Sequence, residues 1–329
     1  MKVFITGATG YIGHKLAIYA ASQGYFVHAL VRNLHSKHIP VHALIVPFEG
    51  DLTDMTSIRT AMQGCDMVIH AAANANLYEK DSSVIYRVNV EGTKNVLDAA
   101  LSLQVRKFVF TSSCAVFGTS YRTPMCEHDP RLIAFEDDYE ISKQCAEDLV
   151  RSYCMKGLHA VIVALSKVYG PGLPVHGNFI ERVFERILRT GIAFTPFNSR
   201  VQANYTFVDD VIKGHFLAAE YGACGESYIL GGENVSYHTF FHTVRAVAGK
   251  HITLIPIPQT ILLVWSFCHR IVYRLLGVHT NISPLLIKRF LQNRTFSSEK
   301  AIRQLGYRIT PFREGLRRTF HHLQIKNYA

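Results

Sequence analysis

Between an apolar run, Lys2–Thr6, and a helical pattern, Tyr11–Gln23, the chain places Thr6-Gly7-Ala8-Thr9-Gly10-Tyr11-Ile12-Gly13. A buried strand that enters a helix through three glycines leaves few folds open. Gly7 permits a tight turn, Gly10 lets the backbone approach a pyrophosphate, and Gly13 lets the helix pack close to the strand. The helix start then offers free N–H groups and a positive partial charge to phosphate. Ile12, Leu16, Ala17 and Ala20 share one helical face, as a helix covering a sheet requires. The spacing is G-x-x-G-x-x-G, not the G-x-G-x-x-G of many dehydrogenases; its setting between strand and helix carries the signal.

The alternation continues. Phe26–Val31 reads as a second strand, Glu49-Gly50-Asp51-Leu52 ends a third, and Met67–His70 runs into Ala71-Ala72-Ala73. Val84–Leu103 reads as a long amphipathic helix and Lys107–Thr111 as the next strand. This predicts an α/β fold: a Rossmann-type, doubly wound parallel sheet, helices on both faces, ligands at the carboxyl ends of the strands. Residues 1–172 are expected to form the dinucleotide-binding domain, its core continuing into 200–235. Residues 173–329 are expected to form a smaller, mostly helical substrate lobe with the C-terminal helices.

The end of the second strand bears on the cofactor. An acidic residue there would bind the adenosine ribose of NAD, whereas this chain has Val31-Arg32-Asn33. A guanidinium at that point suits a 2′-phosphate, with Lys37 in support, so NADP is expected. The alternative, an Arg32 merely exposed at a strand end with NAD as cofactor, stays open. Ala71 and Ala72 are small enough to leave room for the adenine side and the phosphates.

Ser112-Ser113 close the strand Lys107–Thr111, putting hydroxyls at its ligand end, and Tyr139 and Lys143 stand four apart, on one face of a helix. An ammonium beside the phenol is expected to lower its pKa, as is an oxidised nicotinamide. Tyr139 can then serve as general acid for carbonyl reduction or general base for alcohol oxidation. Ser113 would hydrogen-bond the substrate oxygen and stabilise the charge developing on it.

The chain resembles an extended short-chain dehydrogenase/reductase over nearly its whole length. The matching residues are the Thr6–Gly13 turn, Asp51-Leu52, His70-Ala71-Ala72-Ala73, Asn89-Val90-Glu91-Gly92-Thr93, Thr111-Ser112-Ser113, Tyr139 with Lys143, Val168-Tyr169-Gly170-Pro171 and Phe207-Val208-Asp209-Asp210-Val211. Leu30-Val31-Arg32, Ile85–Asn89 and Ile229–Asn234 are most similar to the branch of dihydroflavonol 4-reductase-like, 3β-hydroxysteroid dehydrogenase-like and hopanoid-associated sugar epimerase-like proteins. The resemblance implies that Asp51 binds near the adenine, Asn89 lies beside the catalytic helix, and Lys143 also holds the nicotinamide ribose. It implies that the backbone around Val168 touches the carboxamide. Gly7, Thr9, Gly10, Tyr11, Ile12 and Gly13, with Leu52 and Thr111, complete the implied cofactor set. One departure is Ala164-Leu165, where the family usually carries Arg-Pro; a charge near the site is lost.

The second half chooses the substrate in these folds. Helices are expected over Asn178–Arg189, Asp209–Tyr221 and Tyr237–Ala248, with Asn178, Tyr169 and Tyr205 as substrate-side candidates. Ile252–Gly277 carries an apolar stretch around Trp265, too short to cross a bilayer. It reads either as a helix packed on the lobe or, over 259–277, as an amphipathic helix resting on a membrane. Ser297-Ser298 should cap a helix ending at Gly306, and Thr310-Pro311 should start the last, with Phe312, Leu316, Phe320 and Leu323 as a core stripe.

Seven cysteines without C-x-x-C spacing point to reduced, mostly buried thiols. Seventeen histidines form no metal motif, so no metal is expected. The start reads as a buried strand and not a signal peptide, which implies a cytoplasmic protein, membrane-associated if 259–277 docks. The formal net charge of +10 favours anionic ligands or surfaces, but no nucleic-acid module is visible. The partner is a small-molecule substrate, with a second copy of the chain as an alternative in a homodimer.

The leading reading is an NADP-dependent oxidoreductase acting on a hydroxyl or carbonyl of a fairly apolar small molecule. The alternatives are a nucleotide-sugar epimerase or dehydratase that retains NAD, and a non-catalytic NADP-binding sensor or scaffold.

Overall fold

The computed structural model describes the chain except residues 77–78, 80, 122, 174–178, 197–199, 250, 259, 263, 266, 269–270, 272–287 and 329. In chain order the strands are β1 (Lys2–Thr6), β2 (Phe26–Val31), β3 (Ile45–Glu49), β4 (Met67–His70), β5 (Lys107–Ser113), β6 (Ala160–Leu165), β7 (Lys167–Tyr169), β8 (Ile192–Pro196), β9 (Gln202–Phe207), β10 (Ser227–Leu230), β11 (Glu233–Ser236) and β12 (Thr253–Ile257). The helices are α1 (Tyr11–Ser22), α2 (Met55–Met62), α3 (Ser82–Tyr86), α4 (Gly92–Ser102), α5 (Asp138–Met155), α6 (Phe179–Thr190), α7 (Val208–Tyr221), α8 (Tyr237–Ala248), α9 (Glu299–Leu305) and α10 (Phe312–Tyr328).

Seven parallel strands form the main sheet in the order β10-β6-β5-β4-β1-β2-β3. The chain winds outward from β1 through β2 to β3, then returns to the other side of β1 with β4. The order therefore reverses between β1 and β4, and a crevice opens there at the carboxyl ends. Alternate residues of each strand feed opposite faces. Val3 and Ile5 pack under α1 and α7 with Leu16, Val211 and Ile212. Phe4, Phe108 and Phe110 pack under α2, α4 and α5 with Ile58, Leu97 and Val150.

The second core lies in the C-terminal half. There β11-β9-β7 form a small sheet and β12-β8 pair in parallel. Phe184, Phe240, Phe312, Leu316, Phe320 and Leu323 are all buried in one cluster with Tyr169. The stripe expected on the last helix is therefore interior.

Several sequence expectations need amendment. The helix expected over Val84–Leu103 is present as α3 and α4, but a π-helical turn, Arg87–Glu91, joins them. Asn89 lies in this turn and bonds outward to Asn74 and Ser142. A wider turn re-aims a side chain in this manner. Ser298 does not cap its own helix; its hydroxyl accepts from Gly231 N at 2.9 Å, tying α9 to the sheet. The thiols are less buried than expected, since only Cys65 and Cys114 are fully enclosed while Cys224 and Cys268 are exposed. Part of 259–277 lies outside the described residues. Of the rest, Ile261, Val264, Trp265, Phe267 and Ile271 are exposed. No helix among the described residues is long and apolar enough to cross a membrane.

Leu316 has no exposed surface and sits at the centre of the lobe cluster. Leu316→Ala is expected to lower the stability of the protein by about 2–5 kcal/mol, read as a fall in the urea midpoint at constant m-value.

Candidate active site at the carboxyl ends of the strands

The glycine turn is built by close approach. Gly7 has φ +74°, and a Cβ on it would lie 2.8 Å from Ala72 N. A Cβ on Gly13 would lie 2.1 Å from the Gly7 carbonyl oxygen. Gly10 N donates to that same oxygen at 2.9 Å, and as the residue before α1 it offers no capping side chain. The first N–H groups of α1 are thus left to a ligand, with Thr9 beside them. Tyr11 is buried and donates its hydroxyl to Gly170 O at 2.8 Å, while Ile12 packs on the core. Tyr11 therefore presents its backbone, not its phenol, at the helix start.

Arg32 and Lys37 are both exposed, Arg32 directly after β2. Asp51 accepts from Thr53 N and Oγ1 at 2.9 and 2.7 Å. Burial pushes its pKa up, but these bonds and the charges of Arg32 and Arg87 bring it below the ordinary value. Leu52 is buried against Gly92, and its carbonyl accepts from Asn95. Ala71 and Ala72 follow β4 and are partly buried. Val168 is partly buried in β7, opposite Thr206.

A hydrogen-bond chain not visible in the sequence links the glycine turn to α5. Thr6 Oγ1 and His70 Nδ1 lie 2.6 Å apart, and His70 Nε2 and Thr93 Oγ1 lie 3.0 Å apart. Thr93 Oγ1 donates to Asn89 O at 2.6 Å, and Thr6 Oγ1 accepts from Ala72 N at 3.2 Å. These two bonds assign the proton to His70 Nε2, with Nδ1 accepting from Thr6. Burial, with the charge of Lys143, holds the imidazole pKa down to about 3, so the ring is neutral. Asn89 Nδ2 then donates to Ser142 Oγ at 3.0 Å, and Ser142 Oγ donates to Tyr139 O at 2.9 Å.

Ser113, Tyr139 and Lys143 are brought together at the end of β5. The Tyr139 phenol lies near the Ser113 hydroxyl, and the Ser113 oxygen accepts from Ala115 N at 3.2 Å. Lys143 is buried; its ammonium donates to Thr111 O at 2.9 Å and lies 4.7 Å from the Phe110 ring centre. Thr111 contributes that carbonyl, while its hydroxyl pairs with His215 at 3.0 Å on the far side of the sheet. The expected acidification of the phenol is not what these groups produce. Burial pushes Tyr139 up to about 12; Ser113 and Arg289 pull the other way, and Asp137 and Glu140 push further up. Lys143 itself is drawn down to about 8 by burial, Glu147 opposing.

Sequence reasoning also missed the charges around Tyr139. Glu140 is fully buried; its carboxylate accepts from Arg131 at 2.6 Å and from Arg289 at 2.6 Å. Glu136 pairs with Arg289 and Arg294, and Asp137, which caps α5, pairs with Arg289. The arginines are far away in sequence and no local spacing announces them. Among the substrate-side candidates, Tyr169 is interior, with its hydroxyl donating to Phe312 O at 3.2 Å. It is a packing residue. Tyr205 lines the small sheet opposite Lys167, and Asn178 lies outside the described residues.

Comparison with known proteins agrees with this geometry. The model of the NAD dependent epimerase/dehydratase family matches residues 3–231. A Synechocystis sp. protein provisionally named dihydroflavonol 4-reductase is 29% identical over 99% of this chain and 95% of its own length. A 3-beta-hydroxysteroid dehydrogenase of Mycolicibacterium neoaurum is 26% identical over 93% of this chain and 86% of its own. The crystal structure of UDP-glucose 4-epimerase from Thermotoga maritima, solved with UDP-glucose, shares the fold at TM-score 0.79 and 20% identity, covering 99% of this chain and 100% of that one. The chain belongs to the NAD dependent epimerase/dehydratase family, as an NAD(P)-dependent oxidoreductase of the extended short-chain dehydrogenase/reductase type.

Proposed function

We propose that this enzyme uses NADP to interconvert a hydroxyl and a carbonyl on a fairly apolar small molecule, with Tyr139 as acid and base. The observation that carries the reading is the Ser113–Tyr139 hydroxyl pair at the carboxyl end of β5, the end of the sheet at which the glycine turn also lies. The cofactor, when bound, gives or takes the hydride. Tyr139 delivers a proton to the substrate oxygen during reduction and removes it during oxidation. Ser113 donates a hydrogen bond to that oxygen as charge builds on it. Lys143, anchored to Thr111 O, serves the ribose from a fixed position. Arg32 is exposed directly after β2, with no acidic side chain beside it in sequence, which supports NADP over NAD. The apolar substrate is supported by relatives named for a dihydroflavonol and for a 3-beta-hydroxysteroid.

Tyr139→Phe is expected to cut turnover by about 10²–10⁴-fold, followed by nicotinamide absorbance. Fluorescence titration should find NADPH affinity within a few-fold of wild type; lost binding would refute the assigned role. Arg32→Glu should weaken NADPH far more than NADH, and equal losses would remove the basis for the NADP preference. With the phenol near 12, the protonated acid prevails throughout the neutral range. Carbonyl reduction should therefore be flat across neutral and mildly alkaline pH, whereas alcohol oxidation should climb steadily. A reduction rate falling with an apparent pKa near neutrality would show instead that the bound cofactor acidifies the phenol.

A further inference from the structure

Beside the Ser113–Tyr139 pair, several hydrogen-bond donors gather without a protein acceptor. Lys167 opens β7, just past Leu165, which pairs with Ser113 across β5 and β6. Its ammonium lies 5.0 Å from the ring centre of Phe290, 5.6 Å from that of Tyr205 and 5.9 Å from that of Tyr237. Among the described residues it makes no hydrogen bond and no ion pair. Arg294 Nε is buried and has no hydrogen-bond partner, although the rest of its guanidinium is held by Glu136 and Glu140. Arg294 bridges to Ala203 of β9 and Lys167 pairs with Tyr205 two residues further on, so the two cationic residues are neighbours along this strand. The Tyr205 and Tyr237 side chains are each 5% exposed, and their hydroxyls make no hydrogen bond among the described residues.

This arrangement is costly for the protein alone. An ammonium over aromatic faces regains less than the loss of hydration of a charge takes away. A methionine would fill the same aromatic cage at no such cost. Burial, with Arg294 adding to it, draws Lys167 down to about 8, so at neutral pH it still carries its charge. The carboxylates of Glu136 and Asp137 are ion-paired with Arg289, Arg294 and Lys288, although Glu136 Oε1 and Asp137 Oδ2 make no hydrogen bond, whereas the Lys167 ammonium is walled by aromatic rings and has no anionic partner among the described residues. Its natural complement is an anionic oxygen group.

We infer that Lys167 and Arg294, walled by Tyr205, Tyr237 and Phe290, form a subsite for a carboxylate on the substrate. The inference rests on the proposed hydroxyl–carbonyl chemistry and adds a second handle to the same small molecule. One ammonium and one guanidinium N–H match the two oxygens of a carboxylate. A diphosphate would need more donors and a less apolar wall.

The test uses mandelate and β-hydroxy-β-phenylpropionate, each compared with its methyl ester, in NADP-dependent oxidation. At least one acid is expected to surpass its ester about tenfold in kcat/KM, about 1.4 kcal/mol. Lys167→Met should bring that ratio to about one, and Lys167→Arg should keep part of it. A melting temperature and NADPH affinity like those of wild type verify that each variant is folded. Equal use of acid and ester in both pairs, or a ratio that survives Lys167→Met, overturns the subsite and leaves hydride transfer standing. If wild type turns over neither form, hydride transfer on such compounds fails separately. The subsite is then judged by calorimetry on NADP-loaded protein, where the same preference and its loss in Lys167→Met are expected, and no preference overturns it. UDP binding that is lost in Lys167→Met would reassign the donors to a diphosphate and overturn the carboxylate.

Discussion

The backbone of α1 passes so near the turn before it that not one methyl group fits between them. Gly13 has no Cβ because the Gly7 carbonyl oxygen would be 2.1 Å from it. That approach delivers the start of α1 to the carboxyl end of β1, beside the point where the strand order reverses. Thr6, at the end of β1, then holds both Ala72 and His70 of the neighbouring strand and its loop. Through Thr93, Asn89 and Ser142 the same contacts reach the first turn of α5. The position of Tyr139 relative to the glycine turn is thus inherited from one packing contact through a string of short polar bonds.

The other end of the site is set by charge. Glu140 lies one residue beyond Tyr139 and brings a carboxylate into the interior. Such a group survives only when several donors reach it. Here Arg131 comes from the loop before α5, while Arg289 and Arg294 come from the C-terminal half. Removing one partner of a buried pair typically costs about 3–5 kcal/mol, so the segment at 289–294 is fastened to the catalytic helix and not merely laid against it. The carboxylates of this cluster also surround the phenol, which is one reason that it is not acidified by the protein's own groups.

Most of the sheet could be read from the chain because its information is local. Phe26–Val31 and Met67–His70 coincide with the observed strands, since short apolar runs bounded by turns define parallel strands. Gly249 and Gly306 end their helices in left-handed backbone, as their positions suggested. Ser113, Tyr139 and Lys143 were legible as types and spacings, and they do converge. Their electrostatics were not legible. Whether Lys143 points at the phenol or at Thr111 O depends on the depth of β5, and the acidity of Tyr139 depends first on its burial and then on groups such as Arg289, far away in sequence. Tyr169 misled for a related reason: it follows the site in sequence, but its ring is needed by the lobe core. The helix spanning Asn89 was found by periodicity, which averages over turns and cannot detect one that is π-helical.

The proton-free imidazoles inside the sheet give the molecule an acid limit. His70 is held near 3 and His215 near 4, in each case chiefly by burial, against an ordinary value of 6.5. Both would gain a proton on unfolding well before they could in the native state. Their contribution to stability is complete above 6.5 and drains as the pH falls toward those depressed values. Because His70 joins β1 to α4 and His215 joins α7 to β5, acid attacks from the interior outward. Lowering the pH below 6.5 should therefore progressively reduce the stability of the part of the fold that holds these two rings.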